Sequence, residues 1–243
     1  MTGSPLRIAM WSGPRNMSTT MMRSFGARSD CECVDEPFYA AYLKATGLQH
    51  PMSEEIFASQ SSVPDQVIVD LTGPIDPASN VFYQKHMTHH MVDEIPRDWM
   101  AACRNVFLIR HPARVILSYA RKMETVSLEA IGFPQQLSLF ERAAELEGQA
   151  PLVIDSTDIL KAPEMKLKAL CAALNIEWQP DMLAWSAGPK SEDGAWAPHW
   201  YDVVWNSTGF ADAPAELPDV PETYQAIYED ALTIYDTLAA HRL

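Results

Sequence analysis

No apolar run in this sequence approaches the roughly 20 residues that a membrane-spanning helix needs. The first apolar stretch, Leu6 to Trp11, is also too short for a secretory signal and breaks at Ser12-Gly13. Cysteine is scarce: Cys31, Cys33, Cys103 and Cys171 form no C-x-x-C pair. Cys31-Glu32-Cys33 lacks the matching second pair that a zinc site needs. The four are expected to be reduced thiols in a cytoplasmic protein. Positive charge is short too, with 18 Lys+Arg against 32 Asp+Glu and a net charge of −14. Such a surface repels nucleic acid and anionic lipid unless its cations cluster, so neither is an expected partner. Internal repeats and linker-like segments are absent.

What remains is a 243-residue chain, 47% apolar and 21% charged, a mixture able to bury a sizeable core. It is expected to form one domain over residues 1–243. The imbalance of charge is uneven. After Ser191 stand ten acids and one cation, Arg242. An anion site must therefore draw on the earlier part of the chain.

Hydrophobic patterning predicts short buried strands alternating with helices. Arg7–Trp11 reads as the first strand, followed by a turn over residues 12–18 and a helix from Thr19 to Arg28 with Ser18 as N-cap. Cys31–Asp35 reads as a second strand lying beside the first, closed by Glu36-Pro37. Pro64 at a first helical position and Gly73 as a stop predict a helix between them. Further strands are expected at 81–85, 105–109 and 152–154. Helices are expected at 113–122, 136–146, 164–174 and from about 224 to 238. Residues 186–218 read as long, irregular and aromatic. The fold class that follows is α/β, a parallel sheet with helices on both faces.

Three stretches carry chemistry. The first is the strand–turn–helix at 11–25. Main-chain N–H groups and a positive dipole end gather at such a helix start and form a site for phosphate. Ser18 and Thr19 add hydroxyls and Arg15 adds a planar cation. The stretch is not a Walker A motif, because Ser18 and Thr19 stand where Gly and Lys would be required. The second is Arg110 to Arg121. Arg110 ends a buried strand, where open parallel sheets bind ligands, and Ser118 follows eight residues later. The third is Lys190-Ser191-Glu192-Asp193-Gly194-Ala195-Trp196, a loop with the composition to fold over a nucleotide.

Taken in order, these stretches resemble the cytosolic and bacterial sulfotransferases that use 3′-phosphoadenosine-5′-phosphosulfate (PAPS). Gly13-Pro14-Arg15-Asn16-Met17-Ser18-Thr19-Thr20 is similar to their 5′-phosphosulfate loop. Arg110 with Ser118 is similar to their 3′-phosphate motif. Lys190 to Trp196 is similar to their late Arg-Lys-Gly-x-x-Gly-Asp-Trp loop. Residues 153–174 resemble their late strand and helix. The likeness spans roughly residues 6–210. Arg15 stands where many members have lysine. Ala195 replaces an aspartate, and Pro189 and Ser191 replace the residues flanking the late lysine.

The resemblance implies a P-loop-type fold and transfer of a sulfuryl group from PAPS to a small-molecule hydroxyl or amine acceptor, without a metal. It implies donor binding by Arg15, Asn16, Met17, Ser18, Thr19, Arg110, Ser118, Lys190 and Gly194, with Arg15 stabilising the leaving oxygen. An acceptor proton needs a base. Glu36 and His86 are the two candidates, with Lys85 beside the second. Pro37 is expected to bias Glu36 away from helical geometry and aim its carboxylate into the cleft. His86 and His90 stand four apart, but without the carboxylate of H-E-x-x-H. A P-loop kinase or nucleotide hydrolase, and a non-catalytic nucleotide-binding protein, are the alternative readings.

Overall fold

A computed structural model describes residues 5–123 and 125–243. Five parallel strands form one sheet: β1 (Leu6–Ser12), β2 (Cys31–Asp35), β3 (Val81–Met87), β4 (Arg104–Ile109) and β5 (Leu152–Asp155). Their spatial order is β2-β3-β1-β4-β5. β2 therefore pairs with β3 and not with β1, which corrects the sequence expectation. Short apolar runs show that strands are buried but do not encode their neighbours.

Helices fill the connections. They are α1 (Ser18–Gly26), α2 (Tyr39–Thr46), α3 (Ser53–Ser59), α4 (Pro64–Thr72), α5 (Pro112–Ala120), α6 (Phe133–Glu147), α7 (Ser156–Lys161), α8 (Pro163–Leu174), α9 (Ala197–Trp200), α10 (Asp202–Trp205) and α11 (Gln225–Ala239). The expected helices are present with ends shifted by a few residues. The short α2, α3 and α7 were not read from the sequence, since each spans about two turns and shows little periodicity.

Strand side chains alternate between faces, and two cores result. On one face Ile8, Met10, Val106, Leu108 and Ile154 pack against Met21, Met22 and Phe25 of α1 and Leu167, Leu170 and Leu174 of α8. On the other, Ala9, Trp11, Phe107, Ile109 and Val153 meet α4, α5, α6 and α11. Both faces are covered, as an all-parallel sheet requires. The chain leaves β1 towards β2 on one side, and leaves β4 towards β5 on the other. Connections diverge between these neighbours, and the crevice beyond their C-terminal ends is where such sheets place ligands.

Candidate active site

The loop after β1 enters that crevice. Arg15 and Met17 have φ of 64° and 68°, while Asn16 between them does not have positive φ. Alternation of this kind turns successive N–H groups into one anion-binding concavity. Met17 is the N-cap of α1 and no side chain caps the helix. Ser18 is the first helical residue and not the cap expected from sequence. The loop is packed from behind: a Cβ on Gly13 would fall 2.5 Å from the Ile131 carbonyl oxygen.

Two guanidiniums secure the loop. Arg110 Nη1 donates to the Arg15 carbonyl oxygen at 2.6 Å, and Arg15 Nε donates to Ser118 Oγ at 2.9 Å. Neither arginine makes an ion pair with a carboxylate among the described residues. Burial lowers the pKa of both, and neighbouring arginines lower that of Arg110 further. Two partly buried cations held together, with only Asp155 acting against the neighbouring arginines at Arg110 and no ion pair to either, fit an anionic group.

A cavity of about 480 Å³ opens here. Arg15, Asn16, Met17, Ser18, Thr19, Arg110, Glu36 and Lys85 all line it. Aromatic residues Tyr39, Trp196, Trp200 and Tyr201 line it too, with His50, His89 and His90.

At the ends of β2 and β3 lies a buried ionic cluster. Asp35 and Lys85 are register partners, so their side chains emerge side by side on one face. Lys85 Nζ donates to Asp35 Oδ1 at 2.7 Å, Glu36 Oε1 at 2.6 Å and the Tyr201 hydroxyl at 2.7 Å. The Tyr201 hydroxyl donates in turn to Asp35 Oδ2 at 2.7 Å. Burial raises the Glu36 carboxyl to about 7; Lys85 opposes the rise and Asp35 adds to it. Glu36 has φ of 41°, a left-handed conformation rare for a residue before proline. Beside Pro37, Glu36 is kept out of right-handed helical geometry and lines the cavity, but through a strained left-handed turn.

His86 is elsewhere. One step along β3 from Lys85, it faces the opposite core, stacked on Trp11 with ring centroids 4.5 Å apart. Its Nε2 meets Gln84 Oε1 at 3.2 Å, and burial lowers its pKa to about 3. It does not line the cavity. Lys190 and Gly194 do not line it either. The Lys190 ammonium donates to Ser186 Oγ. The late loop is anchored by its acids, with Asp193 paired to the buried Arg23 of α1 at 2.6 Å. Gly194 N–H donates to Asp35 Oδ2 at 3.1 Å. Ser118 also stays outside the lining and reaches the site through Arg15.

Tyr201 and Asp35 were not picked out from the sequence, and His90 was weighed there only as a metal ligand paired with His86. Asp35 was visible only as the neighbour of Glu36. Tyr201 comes from an irregular segment more than a hundred residues from Lys85, and no local spacing signals such a contact.

With this geometry in place, comparison with known proteins is decisive. Residues 6–242 match the family model described as "Sulfotransferase domain". The chain belongs to this sulfotransferase family. Among solved structures it is similar to the sulfotransferase domain from the curacin biosynthetic pathway, with a TM-score of 0.54 and 15% identity, covering 93% of this chain and 97% of that one. The sulfotransferase from Alicyclobacillus acidocaldarius has a TM-score of 0.55 and 12% identity, over 99% and 98% of the two chains. These share the fold. Two Arabidopsis thaliana proteins, branched-chain-amino-acid aminotransferase-like proteins 2 and 1, are 34% and 35% identical over 96% and 98% of this chain. The chain spans about two fifths of their length, 41% and 42%. Among the described residues no helix is long and apolar enough to cross a membrane.

Proposed function

We propose that this member of the sulfotransferase family transfers a sulfuryl group from PAPS to a small hydroxyl or amine acceptor. The observation that carries the reading is one cavity with a cationic end and a carboxyl end. The main-chain concavity at 15–19, with Arg15 and Arg110, suits the anionic donor, and Glu36 suits the acceptor.

The chemistry follows from charge. As the new acceptor–sulfur bond forms, the bond from sulfur to the bridging oxygen of the donor breaks and negative charge gathers on that oxygen. The loop N–H groups and Arg15 are fixed in advance to stabilise it. Positioning and charge stabilisation do most of the work, as in phosphoryl transfer. Glu36 takes the acceptor's proton. A carboxyl near 7 is matched to that task, because an effective base titrates close to the working pH. The leaving group is 3′-phosphoadenosine-5′-phosphate.

The reading extends to one domain over 1–243, of which residues 1–4 and 124 lie outside the described residues. It also places the protein in the cytoplasm, with a small-molecule partner and neither nucleic acid nor membrane. The test is thermal melting of the protein with 3′-phosphoadenosine-5′-phosphate or with ATP plus Mg²⁺. The first should raise Tm by mass action at micromolar concentration. A larger rise with ATP plus Mg²⁺ would favour a kinase or nucleotide hydrolase and remove this reading.

A further inference from the structure

Lys85 faces two carboxylates with a single positive charge. A buried cluster of one cation and two anions carries an uncompensated charge, which low-polarity surroundings disfavour. Uptake of one proton restores neutrality. The surroundings decide which carboxylate receives it.

Asp35 is the better satisfied of the two. Its Oδ1 accepts from Lys85, and its Oδ2 accepts from the Tyr201 hydroxyl and the Gly194 N–H. It is 3% exposed and does not line the cavity. Tyr201 is itself held by Trp196, whose indole N–H donates to the Tyr201 oxygen at 3.1 Å. Glu36 has one charged donor, Lys85, and it lines the cavity. Its backbone is fixed independently. Its N–H donates to the Lys85 carbonyl at 2.9 Å, and its carbonyl accepts from Gln60 Nε2 at 3.1 Å.

The other groups facing Glu36, namely the Tyr201 hydroxyl, His90 and Tyr39, supply no compensating charge. His90 Nε2 lies 4.0 Å from Glu36 Oε2. Burial, with His89, His50 and Lys85 nearby, holds His90 well below the usual histidine range and therefore neutral. Tyr39 of α2 stacks on His90 with centroids 4.4 Å apart, and its hydroxyl is engaged by His50 at 2.8 Å.

We propose that Asp35 is a positioning residue that claims the charge of Lys85, so that Glu36 is the carboxylate left to receive a proton. The proposal rests on the reading of Glu36 as base. It adds that the basicity of Glu36 is set by its neighbour in the chain. The step is balanced: the acceptor O–H or N–H bond breaks and the proton passes to Glu36, the electron pair forms the bond to sulfur, and the bond from sulfur to the bridging oxygen breaks, its pair leaving with 3′-phosphoadenosine-5′-phosphate.

The experiment titrates Glu36 in the intact protein by infrared difference spectroscopy, with its carboxyl band assigned by subtracting the Glu36→Gln spectrum. Asp35→Asn removes the competing charge and leaves Lys85 to Glu36 alone. The titration should fall by about one pH unit or more, and the acid limb of kcat/KM should move down with it. A fall of this kind supports the proposal. An unmoved or raised titration in Asp35→Asn overturns it. Should Asp35→Asn fail to fold, Asp35→Ser, which also lacks the charge, is read by the same rule. The band needs no turnover to be read. Normal turnover in Glu36→Gln would instead remove the reading of Glu36 as base, a separate outcome.

Discussion

Lys85 and His86 are consecutive residues on opposite faces of the sheet. Lys85 joins Asp35 and Glu36 above α1, while His86 stacks on Trp11 in the other core. A period of two along a strand makes this unavoidable. Only one of the two can reach the cavity, and it is the lysine.

The two candidate bases should therefore separate cleanly. Glu36→Gln keeps the shape of the side chain and loses the proton acceptor. Single-turnover transfer should fall by most of its rate while binding of 3′-phosphoadenosine-5′-phosphate survives. His86→Asn should keep its turnover and lose stability, about 1–3 kcal/mol for disrupted core stacking. Loss of transfer in His86→Asn with normal melting would reverse the assignment.

Stability should change with pH in opposite senses at two sets of groups. Glu36, at about 7 in the fold and 4.5 ordinarily, contributes stability that is complete below about pH 4.5 and lost as pH rises through about 7. Denaturant melts of Glu36→Gln should lack this decline. His86 and His89 are lowered by burial from 6.5 to about 3. Their contribution is complete above about pH 6.5 and lost as pH falls towards 3. The same pH dependence of stability between about pH 5 and 7 in the wild type and in Glu36→Gln would contradict the Glu36 part.

Arg15 lines the cavity and is fastened by Ser118. Arg15→Ala should lower turnover by about 10²–10³ with a smaller loss of donor affinity. Arg15→Lys should recover part of the rate, and Ser118→Ala should weaken it modestly by freeing the guanidinium. Unchanged turnover in Arg15→Ala would reduce the loop to a binding element.

Arg110 bonds the Arg15 carbonyl and keeps further donors for an anion. The wild type should bind 3′-phosphoadenosine-5′-phosphate at least ~10-fold more tightly than AMP, matching one charge-assisted hydrogen bond. Arg110→Ala should shrink that ratio in calorimetric titrations. Equal wild-type affinities would sink the assignment.

Gly194 lies against Trp196, and a Cβ there would fall 2.2 Å from the indole ring. Trp196 is 1% exposed and holds Tyr201. Gly194→Ala should cost about 1–3 kcal/mol by overpacking and lower turnover through a displaced Tyr201. Wild-type melting and rates in this variant would show that the loop yields freely.

Much of the fold was legible in the residues themselves. Buried strands announce themselves as short apolar runs such as Val106 to Ile109. Pro64 and Gly73 bracket α4, as proline at a helix start and glycine at a stop should. The loop after β1 was legible as an anion site because its chemistry is local: N–H groups at a helix start, with Arg15 beside them. Strand order was not legible, since pairing depends on which apolar faces meet and not on any one strand. The surroundings of Glu36 were hidden for the same reason. Asp35 is its neighbour in sequence, yet Lys85 arrives from β3 and Tyr201 from the segment joining α9 to α10. The residue types of the site were thus set by the chain. Which carboxylate faces a cation, which histidine is sealed in the core and which lysine never reaches the cavity were decided by packing. Those outcomes turn on sheet register and long-range contact, and a linear pattern carries neither.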